Sequence, residues 1–429
     1  MGVRFVPAVP YASRYRSGAL HVEPVHLQSS MNKRSPASDA TLSVHAGEDR
    51  HGRNAPLTTP IEQTAVFALQ NTEQLRRYAA GDAKVFLYTR YGNPTVRAAE
   101  EKIAALEQGE DCILTASGMA AELAVALTLC KSGDEIVSML DIYGGTTKLF
   151  SKLLARCGIR TRFVPFTQLP SIESYCTRQT RMLFLETPTN PILRCVDIAN
   201  LSARAHKRKI AVVVDNTFAT PILQKPLALG ADIVVHSATK YLGGHSDLTA
   251  GAIVASRRWA EPIRETMILS GGCSDPGVAY LLLRGLKTLE VRVARACRNA
   301  AIIADYLAGH ASVVRVFYPG LPDSPAHQLA AAQMSDNGAV VSFDIRGGGP
   351  AAERFINALK MWYLATSLGG VESTVSYPVL SSHSSAPRRE LKLLGVSPAT
   401  IRLSVGIEDA VDLVDDLEQA LTNHSPVSQ

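Results

Sequence analysis

The sequence predicts an α/β protein: a large domain on a mainly parallel sheet with helices on both faces, then a smaller α+β domain. Three observations carry this expectation. Short, nearly continuous apolar runs recur at Cys112–Thr115, Glu135–Met139, Met182–Leu185, Ile210–Asp215 and Ile233–His236, the pattern of strands buried on both faces. Helical stretches lie between them at Ala120–Cys130, Thr146–Cys157 and Ile198–Lys209, and such alternation implies parallel strands joined by crossover helices. After a long helical segment, Asp275–Leu307, the pattern becomes mixed, with strands at Ala339–Asp344 and Ile401–Val405 and helices at Ala351–Leu359 and Ala410–Leu421.

Residues 1–40 carry Arg4, Arg14, Arg16, Lys33 and Arg34 against Glu23 and Asp39, with several Ser and Pro. They read as an extension: a disordered arm, or a start placed too early with Met31 as the true one, in preference to a targeting peptide. Residues 41–92 are turn-rich and read as an arm with one short helix near Thr72–Ala80. Pro94–Gln108 is a helix with proline at its start and apolar Ile103, Ala104 and Leu106 along it. The large domain is expected over 93–290 and the small one over 291–429.

Composition narrows the function. Of 429 residues, 46% are hydrophobic and 19% charged, an ordinary globular balance. A net charge of +5 with interleaved signs gives little support to a nucleic-acid or membrane-surface partner. Seven scattered cysteines form no C-x-x-C pair and no zinc-spaced cluster, so free thiols in a cytoplasmic protein without a metal site are expected. No glycine-rich nucleotide loop, G-x-G-x-x-G or G-x-x-x-x-G-K-[ST], follows any strand.

The chemistry is concentrated at the carboxyl ends of the predicted strands, where α/β sheets place ligands. Ser237-Ala-Thr239-Lys240-Tyr241 follows one of them. A lysine there, preceded by two hydroxyl residues, suits pyridoxal phosphate: the amine condenses with the aldehyde and the hydroxyls donate to phosphate. Lysines after strands are also commonplace on surfaces. A second strand ends in Asp215, followed by Asn216 and Thr217; a carboxylate there can hold a proton on the pyridine nitrogen, although Asp also often caps helices. Ser117-Gly118-Met119 opens a helix and offers backbone N–H groups to an anion. Tyr143 can stack on a ring or simply pack.

With these segments in view, a resemblance covers about Thr41 to Leu421. In order stand Tyr88-Thr-Arg90-Tyr-Gly-Asn-Pro-Thr95, Ser117-Gly-Met-Ala-Ala121, Tyr143-Gly-Gly-Thr146, Glu186-Thr-Pro-Thr-Asn-Pro191 and Asp215-Asn-Thr-Phe-Ala-Thr-Pro221. Ser237-Ala-Thr-Lys-Tyr241, Leu283-Arg-Gly-Leu-Lys-Thr-Leu289, Ser367-Leu-Gly-Gly-Val-Glu-Ser373 and Arg402-Leu-Ser-Val-Gly-Ile-Glu-Asp409 follow. Together they resemble the Cys/Met-metabolism family of pyridoxal-phosphate enzymes, which includes cystathionine γ-synthase, cystathionine γ-lyase, methionine γ-lyase and homoserine-ester sulfhydrylases. The resemblance implies an aspartate-aminotransferase-like fold and a homo-oligomer, usually a dimer of dimers. It also implies Lys240 as the Schiff-base lysine, Asp215 on the pyridine nitrogen and Tyr143 as stacking and acid group. Ser117, Gly118, Met119, Thr217, Ser237 and Thr239 fall at the cofactor, and Tyr88 and Arg90 reach the phosphate of a neighbouring subunit. Asn190, Ser367 and Arg402 lie near the ring and the substrate carboxylate.

The resemblance also implies γ-elimination or γ-replacement, on homoserine esters or cystathionine. Tyr143-Gly-Gly-Thr146 and Gly369-Gly-Val-Glu-Ser373 look like the cystathionine branch: methionine γ-lyases usually carry Cys where this chain has Gly145, and sulfhydrylases tend to lack an acid at Glu372. Glu372 would suit a distal ammonium; an ordinary surface charge is the alternative. The stretch Thr374–His383 departs from the family's usual sequence beside the substrate pocket. A pyridoxal-phosphate fold with a decayed site is a rival, set against the presence of Lys240, Asp215, Tyr143 and Arg402.

Overall fold

The computed structural model describes residues 37–48, 56–82, 84–384 and 386–422. Residues 1–36, most of the expected extension, lie outside the described residues. The described chain opens with a short helix, Asp39–His45, capped by the Ser38 hydroxyl, which the turn-rich composition does not announce. It is tied down by Lys102, fully buried, whose Nζ donates to Ser43 O at 2.9 Å and Val44 O at 3.0 Å and faces Glu48 Oε1 at 3.3 Å. A buried ammonium survives because carbonyls and a carboxylate surround it.

The larger sheet has seven strands: β1 Asp111–Thr115, β2 Glu135–Met139, β3 Arg160–Val164, β4 Thr180–Glu186, β5 Ala211–Asp215, β6 Ile233–Ser237 and β7 Gly251–Ala255. Their spatial order is β1-β7-β6-β5-β4-β2-β3, parallel throughout except for β7, which runs antiparallel to β1 and β6. All five expected strands are present. Apolar helix faces cover the sheet, which accounts for the near-continuous burial of β2, β4, β5 and β7.

Two expected helices are divided. Thr146–Cys157 begins earlier, at Gly144, and passes into a wider π-helical turn over Leu149–Leu154. Asp275–Leu307 is two helices, Pro276–Leu286 and Leu289–Gly309. Just before the break the chain packs closely: a Cβ on Gly285 would lie 2.3 Å from Gly243 O. Its carbonyl is satisfied by Arg292 Nη2 at 2.8 Å and Thr288 Oγ1 at 3.2 Å.

The smaller α+β domain carries five strands: β8 Val313–Phe317, β9 Val340–Ile345, β10 Tyr363–Leu364, β11 Thr374–Ser376 and β12 Thr400–Ser404, in the order β10-β11-β12-β9-β8. β12 lies between β11 and β9, its five residues buried, so a side chain on it is held rigidly. That strand carries Arg402.

Candidate active site

A cavity of about 460 Å³ opens where the ends of β1, β4, β5 and β6 meet residues from the smaller sheet. Its wall includes Ser117, Gly118, Met119, Tyr143, Asn190, Asp215, Thr217, Ser237, Thr239, Lys240, Ser367 and Arg402. The structure therefore gathers twelve of the residues singled out in the sequence around one space, Lys240 and Asp215 among them.

Each comes from a locally understandable element. Ser117 caps the helix Gly118–Leu129, its hydroxyl accepting from Ala120 N–H at 3.1 Å. The N–H groups of the first turn remain for an anion. This helix start lies against β6, for a Cβ on Gly118 would come within 3.1 Å of Ser237 Cα and Cβ. Thr217 ties two strand ends together: its N–H donates to Asp215 Oδ1 at 2.9 Å, and its Oγ1 accepts from Ser237 N–H at 2.8 Å. Thr239 Oγ1 accepts from Ala250 N–H at 3.0 Å, which fixes the turn ahead of Lys240.

Lys240 Nζ donates to Ser367 Oγ at 2.5 Å. Ser367 holds a left-handed backbone, φ +82°, a conformation that costs a side-chain-bearing residue about 1–3 kcal/mol and gathers at functional sites. Burial, assisted by the Arg402 charge and opposed by Asp215, pulls the Lys240 amine down to about 8. Arg402 is buried, donating from Nη1 to Asn190 Oδ1 at 2.9 Å and from Nη2 to Ser367 O at 2.7 Å, while its Nε has no partner among the described residues. Burial lowers its guanidinium to about 10. Asp215 is raised above the usual carboxylate range by burial, an effect its hydrogen bonds from Thr217 and the charges of His236 and Lys240 partly offset.

The other expected residues lie elsewhere. Tyr88 and Arg90 do not line the cavity of their own chain; Arg90 donates to Ile268 O at 3.0 Å and stacks 4.8 Å over the Tyr91 ring. Glu372 is also outside the wall, accepting from Ser246 Oγ at 3.4 Å. The cavity also contains groups that the sequence reading did not single out for the site: Glu122, Glu186, His236, Ser381 and Ser382. Glu186 ends an apolar strand just as Asp215 does, and the register places the two side by side on β4 and β5. Glu122 is the one charged residue in a helix that is apolar apart from Thr128. Those two signals were available in the sequence.

The donor set fits pyridoxal phosphate. A partly deprotonated amine, a strand-end carboxylate and a helix N-terminus flanked by Ser117, Ser237 and Thr239 share one cavity. The unpartnered Nε of Arg402 is a hydrogen-bond donor still wanting an acceptor. No group of three or more His, Cys, Asp or Glu placed to hold a metal occurs among the described residues.

Residues 40–422 match the family model described as Cys/Met metabolism PLP-dependent enzyme. The chain is 42% identical to an L-methionine γ-lyase of Fusobacterium nucleatum subsp. polymorphum, over 89% of this chain and 97% of that protein. It is 41% identical to the chloroplastic cystathionine γ-synthase 1 of Arabidopsis thaliana, over 90% of this chain and 69% of that one. Among solved structures, metB from Corynebacterium glutamicum superposes with a TM-score of 0.86 at 39% identity, covering 91% of this chain and 99% of that chain.

Proposed function

The chain belongs to the Cys/Met metabolism family of pyridoxal-phosphate-dependent enzymes, and from that premise we propose that it acts at Cγ of homoserine esters or cystathionine, by γ-replacement or γ-elimination. The observation that carries the reading is the shared cavity of Lys240, Asp215 and Arg402, with Tyr143 on its wall. When bound, pyridoxal phosphate supplies an electron-withdrawing ring that stabilises carbanionic charge on the substrate.

The chain's own residues do the rest. Gly118, Met119, Ser237 and Thr239 would hold the phosphate end, with Ser117 and Thr217 also at the cofactor, and Asp215 would keep a proton on the ring nitrogen. Arg402 grips the substrate carboxylate, fixing the Cα–H bond in the direction of Lys240. Lys240 Nζ takes that proton; an amine held near 8 is in part free base near neutral pH. The Tyr143 hydroxyl donates a proton to the departing γ-substituent. Tyr88 and Arg90 serve a neighbouring copy: exposed Leu57, Ile61, Val66 and Tyr91 on the same arm make an apolar surface for one to cover.

Gly145 supports the cystathionine branch over methionine γ-lyase chemistry. A Cβ there would lie 2.3 Å from Tyr143 Cε1, so the tyrosine ring occupies the space a cysteine side chain would need. The test is a product assay. The enzyme is offered cystathionine, O-acetyl- or O-succinylhomoserine with cysteine, and methionine, while cystathionine, 2-oxobutanoate and released thiol are measured. Turnover of methionine alone overturns the reading, as does full activity in Lys240→Ala.

A further inference from the structure

Glu122 takes no part in the chemistry proposed above, yet it lies buried in the wall of the same cavity. It sits one turn into the helix whose first residues cradle the phosphate. Its Oε1 accepts from the Thr146 hydroxyl at 2.8 Å, while Oε2 is buried without a partner. Glu186 repeats the arrangement from the sheet. Its Oε2 accepts from Tyr143 N–H at 2.7 Å, and its Oε1 is likewise buried and unpartnered. Two carboxyl groups thus share the cavity with Asp215, Glu186 beside it in the strand register, each anchored by one oxygen to the Tyr143–Thr146 segment.

Three ionised carboxylates in one buried space would repel one another; the cations facing them are Lys240 and Arg402, with the His236 imidazole beside them. His236 is itself engaged, its Nε2 lying 2.6 Å from Glu107 Oε1. Burial first, and the Asp215 charge second, push both Glu122 and Glu186 well above the usual carboxylate range. The neutral form is therefore favoured for both, while Asp215, itself raised by burial, has the Thr217 hydrogen bonds and the Lys240 charge in favour of its ionised form. With Oε1 accepting from Thr146, a proton on the Glu122 carboxyl would fall on Oε2, the oxygen without a protein partner.

We propose that Glu122 is a positioning residue acting through Asp215: its carboxyl group, oriented by the Thr146 hydroxyl, presents one hydrogen-bonding oxygen to the cavity and sets how firmly Asp215 keeps a proton on the cofactor's ring nitrogen. An O–H dipole near Asp215 stabilises that carboxylate. The proton is thereby favoured on the ring nitrogen over the carboxyl oxygen. Removing the dipole shifts the proton toward Asp215 and weakens the ring's hold on charge. The inference rests on the functional reading above.

The test compares holoenzymes carrying pyridoxal phosphate labelled with ¹⁵N in the ring. In Glu122→Leu the ring-nitrogen resonance moves toward the unprotonated position. In Glu122→Gln, where an amide keeps a donor and a neutral side chain, it stays at the wild-type position. Should Glu122→Leu fail to fold, Thr146→Val leaves the acid in place without its anchor and moves the resonance in the same direction. A resonance unmoved in the folded leucine variant, or in Thr146→Val if that variant alone folds, overturns the assignment. So does a glutamine variant that shifts as far as leucine. A visible cofactor band that survives in Lys240→Ala overturns the functional reading itself, a result distinct from the other two.

Discussion

Replacing Arg402 with Gln should slow the attachment of the cofactor to Lys240, before any substrate is present. The two cations meet at one residue: Lys240 Nζ donates to Ser367 Oγ at 2.5 Å and Arg402 Nη2 to Ser367 O at 2.7 Å. With the amine at about 8, about a quarter of it is uncharged at pH 7.5, against roughly 0.1% for an ordinary lysine. Burial, the larger cause, persists in the variant, while the Arg402 repulsion disappears and the Asp215 attraction remains. Loss of one like charge at this range is worth about one pH unit, so the free-amine fraction falls to roughly 3%. The assay is the appearance of the visible band when apoenzyme is mixed with pyridoxal phosphate, followed from pH 6.5 to 10. Wild type should be about eightfold faster at pH 7.5, with the curves converging as both amines lose their protons. The sign also fixes stability: a lysine held below its unfolded value opposes folding while charged. Its penalty is full below about pH 8 and fades as pH rises from there toward the ordinary lysine value. Coincident uptake profiles, in a variant whose circular dichroism shows the fold intact, would refute the argument. Those spectra are needed because Asn190 Oδ1 and Ser367 O lose their donor, at about 1–3 kcal/mol each.

Three further outcomes follow from the geometry. Gly145→Ala should leave the melting temperature nearly unchanged, because the half-exposed Tyr143 ring can swing aside from the new Cβ, but kcat should fall roughly 100-fold through the misplaced hydroxyl. Glu372→Gln should keep kcat/KM for cystathionine within about twofold, as befits a carboxylate outside the cavity wall; a tenfold rise in KM would restore it as a substrate contact. Mixing Arg90→Ala with Lys240→Ala subunits should regain activity that neither variant shows alone, if Arg90 serves the neighbouring site; steady-state rates after subunit exchange decide this.

Much of the fold was legible because burial on both faces writes itself into composition. β2, β4, β5 and β6 are apolar runs bounded by turns or charges. The strands that escaped notice lack that signature. β7, Gly251–Ala255, is apolar and buried throughout but only five residues long, opening on glycine and holding two alanines, and it runs antiparallel to its neighbours β1 and β6. A Cβ on Gly251 would lie 2.2 Å from Ser117 O, so glycine is required where the helix start at Ser117 meets the sheet. β3, Arg160–Val164, is an edge strand with alternating exposure and polar residues, which reads equally well as loop. The break at Lys287–Thr288 lies beside the close packing of Gly285 on Gly243, a contact that no local propensity encodes.

The site divides along the same line. Asp215 was visible because it ends an apolar strand and Lys240 because it closely follows one, and ligand sites of parallel sheets form at those ends. Which strand ends adjoin is a matter of spatial order, which the linear pattern leaves open. β4 beside β5 in register brings Glu186 next to Asp215, so the carboxyl groups of the cavity act on one another rather than singly. Glu122 joins them from a helix whose other cavity residues are read as a phosphate cradle. Its acid looks like a defect in an apolar face until the sheet supplies the neighbour that explains it. The residues that bind are therefore read from local pattern, and the residues that tune them are read from the crossing of elements.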